Sequence, residues 1–281
     1  MNNKFLILKL CFLSIAFLIS QSSTAFPRND LKPGGIAVIN VGSITQTKPK
    51  VTYQSKPVAL VKGKHNWLAI VGIPLSAKAG SHKVKIIDVS NNKRKGHLKS
   101  FRVRKYHYRT QRLTIPNKNK VNPNKKSRTK INRESRLKKN LLKTFSNKQA
   151  RLNFMRPTSG RDSGRFGLKR ILNKQKRNPH SGMDIAAPRG RAVKATESGT
   201  VLYTGNLFFT GNVIYLDHGN GLLSLYAHLS KINVKKGQKI KRGQLIGKVG
   251  STGRVTGPHL HWSVYLNGNT VDPALFLPKK R

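Results

Sequence analysis

The eight residues HLHWSVYL, 259–266, constrain the fold more than any other stretch of this sequence, because an apolar side chain stands at every second position. On a β-strand, alternate residues point to the same face. The run therefore predicts a strand with four residues on its buried face: Leu260, Trp262, Val264 and Leu266. His259 and His261 would then stand side by side on the opposite face, as half of a metal site. A lone His-x-His pair is more often an ordinary surface feature.

Short strand-like segments fill most of the remaining chain and predict a mostly β protein. The first group lies at 36–41, 58–61, 67–73 and 84–89, and Gly, Pro and Asn residues separate its members. This spacing is typical of a small β-sandwich. The second group lies at 212–217, 222–227 and 245–249, and HGNG at 218–221 predicts a hairpin turn between two of its strands.

A chain of 281 residues is long enough that it usually folds into more than one domain, each with its own hydrophobic core. We expect a β-rich N-terminal domain at 26–116, a basic linker that becomes a solvated helix at 117–152, and a second β-domain at 153–281. The linker has Glu134 as its one acid among many Lys and Arg. It lacks the interleaved aromatic residues that would stack on bases, so we expect no nucleic-acid partner.

The N-terminus has the composition of a secretory signal peptide. Lys4 and Lys9 precede an apolar run at 10–19, and small residues follow it as far as Ala25. We predict that residues 1–25 are removed and that the protein is exported to the periplasm or cell envelope; an uncleaved interfacial anchor is the alternative. Cys11 is the only cysteine, so the mature chain would hold no disulfide and no thiolate ligand.

The formal net charge of +48 favours polyanionic partners. For an exported protein, anionic envelope polymers and lipid headgroups are the natural candidates. An alternative explanation for the charge is that Lys and Asn are over-used throughout the proteome. Net charge affects solubility and association rather than fold, so it does not decide between the two explanations. The sequence does not determine the oligomeric state.

Two further spacings add candidate metal ligands to the His-x-His pair. His180 and Asp184 are separated by Ser-Gly-Met, and Gly182 with the prolines nearby favours a bent segment over a helix. His228 ends another strand-like stretch. A catalytic zinc ion takes three protein ligands and leaves a position for water. Two histidines and one aspartate would supply them, and the remaining histidines could contact that water or a developing oxyanion.

Residues 165–277 resemble the lysostaphin-type (LytM-like) zinc metallopeptidases. The resemblance rests on five motifs: FG at 166–167, PHSGMDIAAP at 179–188, GN at 211–212, YAHLS at 226–230 and TGRVTGPHLH at 252–261. Residues 31–116 look more loosely like the β-rich domain that precedes the peptidase in many envelope members, notably at PGG (33–35) and VGIPL (71–75). The family fold implied is an open, mostly antiparallel β-sheet with the metal in a groove.

This resemblance implies one zinc ion held by His180, Asp184 and His261, with His228 and His259 as unliganded catalytic histidines. It implies a peptidoglycan endopeptidase in which His259 acts as base and His228 stabilises the oxyanion, two roles that could be exchanged. The chain shows no aromatic-rich wall-binding domain, which favours D,D-endopeptidase activity at the bond between D-alanine and a diamino acid over glycine-bridge cleavage.

Three other hypotheses concern this family resemblance and the rest of the chain. A non-catalytic relative would bind peptidoglycan or activate an amidase, although such proteins typically lose zinc ligands. A lipoyl-type carrier hairpin at 235–249 lacks a modifiable lysine in a tight turn. Finally, the N-terminal domain and linker could cover the groove and restrain the enzyme. We expect Asp217, His218 and Asp272 to be structural residues at turns.

Overall fold

The computed structural model describes residues 27–90 and 93–278. The predicted signal segment, 1–25, lies outside the described residues. No helix in these two ranges combines the length and the apolar character needed to cross a bilayer.

Among the described residues, eight strands precede one α-helix. They are β1 (Ile36–Ser43), β2 (Lys50–Tyr53), β3 (Lys56–Pro57), β4 (Ala59–Lys62), β5 (Asn66–Gly72), β6 (Gly80–Ser90), β7 (Lys93–Val103) and β8 (Thr110–Leu113). The first seven form two antiparallel sheets, ordered β1-β5-β4 and β3-β2-β6-β7. Alternate residues such as Ile39, Val71 and Ile86 fill one core. The predicted N-terminal β-sandwich is therefore confirmed.

A 3₁₀ turn (Lys118–Lys120) leads into the helix α1 (Lys125–Leu141), which Asn124 caps by accepting from the backbone N–H of Ser127. The helix was predicted to be solvated. Most of its basic side chains are exposed, but Leu137 and Leu141, one helical turn apart, pack on the β-sheet formed by the residues that follow. The helix therefore packs with the C-terminal half of the chain, and the boundaries 26–116, 117–152 and 153–281 remain predictions.

Between the helix and residue 278, twelve strands follow: β9 (Arg161–Gly164), β10 (Lys169–Leu172), β11 (Gln175–Arg177), β12 (Met183–Ala186), β13 (Ala192–Lys194), β14 (Gly199–Leu207), β15 (Gly211–Gly219), β16 (Leu222–Ile232), β17 (Lys239–Ile240), β18 (Leu245–Val249), β19 (His259–Leu266) and β20 (Asn269–Val271). A second 3₁₀ turn, Pro273–Phe276, follows β20. The main sheet has the order β17-β14-β15-β16-β19-β12-β9, and β13, β18 and β20 attach to it. All of its pairings are antiparallel, as predicted. A small sheet, β11-β10-β8, joins the end of the N-terminal half to the C-terminal half, because β8 and β10 pair in parallel.

The two faces of β19 separate as the alternation predicts. The four predicted core residues, Leu260, Trp262, Val264 and Leu266, are completely buried in the main core. Tyr265 lies on the other face, the one that carries His259 and His261, and packs with residues of β15 and β16. This second face forms the floor of a groove and is the face that α1 covers.

The N-terminal sandwich packs against one face of the main sheet, and the groove lies on the other face. Ile36, Ala59 and Ile70 point away from the sandwich core and belong to the same apolar cluster as Leu266. At this interface, Asn267 accepts a hydrogen bond from the N–H of Gly72 at 2.7 Å and donates to its carbonyl at 3.1 Å. The elements that line the groove are instead the segment around β8 and the helix α1.

Candidate metal centre

Strand register brings the candidate ligands together. In the β12–β19 pair, Asp184 lies directly opposite His261, and on the other side of β19 Ala227 lies opposite His261. Residues on neighbouring strands at one register position have side chains about 4.5–5.5 Å apart when they share a face. The sheet therefore holds the aspartate and the second histidine of the His-x-His pair within contact distance.

His180 approaches from the bent segment before β12, as its Gly and Pro neighbours predict. Its backbone N–H donates to Leu168, and its ring Nδ1 donates to the carbonyl of Arg165 at 2.8 Å. Gly182 makes this approach possible, because a Cβ there would lie 2.5 Å from the Trp262 carbonyl oxygen and 2.8 Å from the His261 ring. The remaining nitrogen of His180, Nε2, faces the aspartate.

The three candidate ligand atoms form a compact triangle. Asp184 Oδ1 lies 3.0 Å from His180 Nε2 and 2.8 Å from His261 Nδ1, and these two nitrogens lie 3.0 Å apart. Ligands of a tetrahedral zinc ion lie about 3.3 Å apart, because each metal–ligand bond is about 2.0–2.1 Å long. Two imidazoles and one carboxylate that converge in this way fit a zinc ion with little adjustment, and within the described residues they form the one group able to hold a metal.

Burial and mutual contacts set the charge states of these ligands. Burial alone would raise the pKa of Asp184, but the rings of His180 and His261 hold that pKa well below its usual range. Burial lowers the pKa of His261 to about 4, against the opposing effect of Asp184. A carboxylate and a neutral imidazole are the forms that bind a metal.

Two further contacts orient the ligands, and the sequence analysis did not identify them. Ser263 Oγ lies 2.9 Å from His261 Nε2 and can accept a hydrogen bond from it, the arrangement that leaves Nδ1 as the electron-pair donor toward a metal ion. Arg170 Nη2 donates to Asp184 Oδ2 at 3.0 Å. Alternation along β19 places Ser263 on the face of His261 and could have revealed the first contact. Nothing in the sequence near Arg170 indicates the second.

His228 and His259 lie beside the triangle, with ring centres 4.8 Å apart. Each Nδ1 donates to a backbone carbonyl, His228 to Thr252 at 2.8 Å and His259 to Gly257 at 2.9 Å. In the neutral form, each ring therefore presents Nε2 as an acceptor. Burial, followed by the neighbouring rings of His259 and His261, lowers the pKa of His228 well below its usual value.

The backbone of His228 is unusual. Ala227 belongs to the groove face of β16, so regular alternation would turn His228 toward the opposite face. Instead, His228 has φ of +64°, a left-handed conformation that costs a residue with a Cβ about 1–2 kcal/mol. This turn directs the ring into the groove, and Leu229 then returns to the main core.

The groove has a volume of about 550 Å³. Its floor carries all five candidate residues, and Gln111, Ile131 and Glu134 belong to the walls that the segment before α1 and α1 itself supply. Glu134 is anchored there by the backbone N–H of Phe208, which donates to it at 2.8 Å. The predicted structural residues lie elsewhere: Asp217 accepts from Gly219, buried His218 bonds to Ser198 and Ser224, and Asp272 caps the last 3₁₀ turn.

Comparison with known proteins agrees with this architecture. The model of Peptidase family M23 matches residues 178–273, and that of the Peptidase family M23 N-terminal domain matches residues 29–103. The chain is 47% identical over 113 residues to the peptidoglycan DD-endopeptidase ShyA of Vibrio cholerae, and 45% identical over 94 residues to the DD-carboxypeptidase/endopeptidase Mpg of Neisseria meningitidis. These matches cover 40% and 34% of this chain but 26% and 22% of the relatives, so the chain spans about a quarter of their length.

A crystal structure described as peptidase M23 from Pseudomonas aeruginosa matches nearly the whole chain. The two share 36% sequence identity with a TM-score of 0.72, and the match covers 88% of this chain and 95% of the other. The similarity therefore includes both the N-terminal sandwich and the catalytic sheet. The chain belongs to peptidase family M23.

Proposed function

We propose that this protein is an exported zinc endopeptidase that hydrolyses the peptide cross-links of bacterial peptidoglycan. One observation carries the proposal: a buried carboxylate oxygen and two imidazole nitrogens converge within hydrogen-bond distance, and two more histidines lie beside them in an open groove. His180, Asp184 and His261 would hold the metal. When bound, zinc lowers the pKa of a coordinated water to about 7 and polarises a carbonyl oxygen.

The two remaining histidines would handle the protons of the reaction. His259 Nε2 lies 3.8 Å from Asp184 Oδ1, so it can reach a water or carbonyl at the metal position. With Nδ1 held by a carbonyl, its Nε2 can accept a proton from the attacking water and later donate it to the leaving amine. His228 would contact the oxygen of the scissile carbonyl. The two rings have the same hydrogen-bond arrangement, so the two roles could be exchanged.

The substrate class follows from the relatives and from the composition. The names of the relatives from Vibrio cholerae and Neisseria meningitidis support D,D-endopeptidase activity, and we place the cut between D-alanine and the diamino acid of a neighbouring stem peptide. The net charge of +48 would hold the enzyme on anionic envelope polymers or lipid headgroups. We expect no nucleic-acid partner, and we expect the protein to act in the periplasm or cell envelope.

The deciding experiment is a digest of purified cross-linked peptidoglycan by the zinc-loaded protein, with products separated by mass. His261→Ala is the inactive variant, and His107→Ala, at an exposed histidine outside the groove, is its matched control. Conversion of dimers to monomers by the wild type and His107→Ala, but not by His261→Ala, is the expected result. Zinc binding without cleavage would favour the alternative, a non-catalytic peptidoglycan-binding protein or amidase activator.

A further inference from the structure

The groove contains a guanidinium group that has no acidic partner. Arg254, in the loop before β19, lines the same cavity as His259 and Asp184. Its backbone N–H donates to the carbonyl of Phe209 at 2.8 Å, and its guanidinium carbon lies 4.5 Å from the centre of the Phe209 ring. In the described part of the chain, no carboxylate, side-chain oxygen or carbonyl accepts a hydrogen bond from this guanidinium.

The charges around Arg254 are positive as well. Burial, together with the neighbouring charges of Arg170 and Arg177, lowers the pKa of Arg254 to about 10. Both neighbours have acceptors of their own: Arg170 donates to Asp184, and Arg177 donates to the carbonyl of Val121 at 3.0 Å. Among these three arginines, Arg254 is therefore the one whose guanidinium has no acceptor among the described residues.

The two acids that line the groove, Asp184 and Glu134, form no ion pair with Arg254. Asp184 accepts a hydrogen bond from Arg170 and lies within hydrogen-bond distance of His180 and His261. Glu134 accepts from the backbone of Phe208 and lies 3.9 Å from Lys130. A partly buried cation without a counter-ion is destabilising, whereas Arg presents a rigid planar fork that matches a carboxylate. The loop holds this fork in the groove that contains the metal centre, at an energetic cost that an anionic ligand would remove.

We propose that Arg254 is a specificity-determining residue that binds a free carboxylate of the stem peptide close to the bond that is cut. The inference rests on the proposed function for the identity of the substrate. It predicts that the enzyme distinguishes cross-links with a free carboxylate from those in which the same group is a carboxamide. A charge-assisted hydrogen bond to Arg is strong enough to change kcat/KM by about 10- to 100-fold.

The test compares two cross-linked muropeptide dimers, one with free stem-peptide carboxylates and one with those groups amidated. The wild type should cleave the free acid about 10- to 100-fold faster in kcat/KM. Arg254→Gln should bring this ratio close to one, mainly by slowing cleavage of the acid, and Arg254→Lys should give an intermediate ratio because it keeps the charge but loses the fork. Arg151→Gln, at an exposed position outside the groove, is the matched control. An equal ratio in wild type and Arg254→Gln would overturn the inference.

A binding measurement separates this inference from the proposed function. The metal-free protein is titrated with the uncrosslinked stem tetrapeptide, free or amidated, and heat of binding is recorded. If neither dimer is cleaved, the endopeptidase proposal fails. The carboxylate site is still supported if the wild type binds the amidated peptide more weakly than the free acid while Arg254→Gln binds the two peptides equally. Equal binding of both peptides by the wild type would reject the site, whatever the outcome of the digests.

Discussion

Arg170 and Asp184 form an ion pair at the edge of the candidate metal centre, with Nη2 and Oδ2 3.0 Å apart. The other carboxylate oxygen, Oδ1, faces the two histidine nitrogens. The arginine therefore helps to determine which carboxylate oxygen faces the metal position. It does so from β10, a strand outside the main catalytic sheet.

Replacing Arg170 should weaken metal binding. We expect Arg170→Gln to reduce zinc affinity about 10- to 100-fold, the usual effect of losing a residue that orients a ligand. Competition with a chelator of known zinc affinity measures this directly. The control is Arg177→Gln, because that arginine lies nearby and donates to Val121 rather than to Asp184. Equal zinc affinities in the two variants would show that the ion pair has no role in the metal site.

Ser263 should fix the tautomer of His261. Its hydroxyl lies 2.9 Å from Nε2, and by accepting from Nε2 it would place the free electron pair on Nδ1. Ser263→Ala fits the same buried space, so we expect a folded protein whose zinc affinity falls about 10-fold. Ser230→Ala removes a hydroxyl that donates to the Val249 carbonyl in the same sheet and touches no histidine. A zinc affinity as high in Ser263→Ala as in Ser230→Ala would contradict this role.

The left-handed backbone of His228 predicts an inverted stability order. At an ordinary strand position, Gly is less stable than Ala. At His228 we expect the Gly variant to be more stable than the Ala variant by about 1 kcal/mol, because only Ala carries a Cβ that opposes positive φ. Urea unfolding of the metal-free variants measures the difference, with Ser230→Gly and Ser230→Ala as the pair that should show the normal order. The strain explanation fails if both pairs show the same order.

His218 predicts a loss of stability in acid. It is fully buried, and burial lowers its pKa below the usual 6.5, so the unfolded chain binds the proton more readily than the folded one. Its contribution to stability is complete above pH 6.5 and declines as the pH falls below that value, by up to about 1.4 kcal/mol per pH unit.

The test of His218 compares the metal-free wild type with His218→Gln by urea unfolding at pH 7.5 and pH 5.5. The other buried histidines titrate in both proteins, so their effect cancels in the comparison. We expect the wild type to lose about 1 kcal/mol more than the variant over this range. Parallel losses in the two proteins would mean that His218 is protonated in the folded state.

The sequence was most informative where side chains follow a local period. Alternation along β19 predicted which residues are buried and that His259 and His261 share a face, and both predictions are confirmed. The assignment of roles to the five site residues stays a prediction.

Features that depend on distant strands could not be predicted. Alternation would have turned His228 away from the groove, because a left-handed residue has no signature in the sequence unless it is Gly or Asn. Arg170 reaches Asp184 only because β10 folds beside the catalytic sheet. The apolar residues of α1 are visible in the sequence, but the sheet that receives them is not, which is why the helix was expected to be solvated.

Ile70 of the sandwich and Leu266 of the catalytic sheet belong to one buried apolar cluster, so the N-terminal half packs on the catalytic half as a tightly bound subunit would. A catalytic fragment that began at residue 153 would expose this apolar surface to water and would leave Asn267 without Gly72, its hydrogen-bond partner in the sandwich. After a single proteolytic cut in the linker, we expect the two pieces to remain bound to each other through this shared apolar cluster. Chain cleavage and release of the sandwich are therefore separate events in this protein.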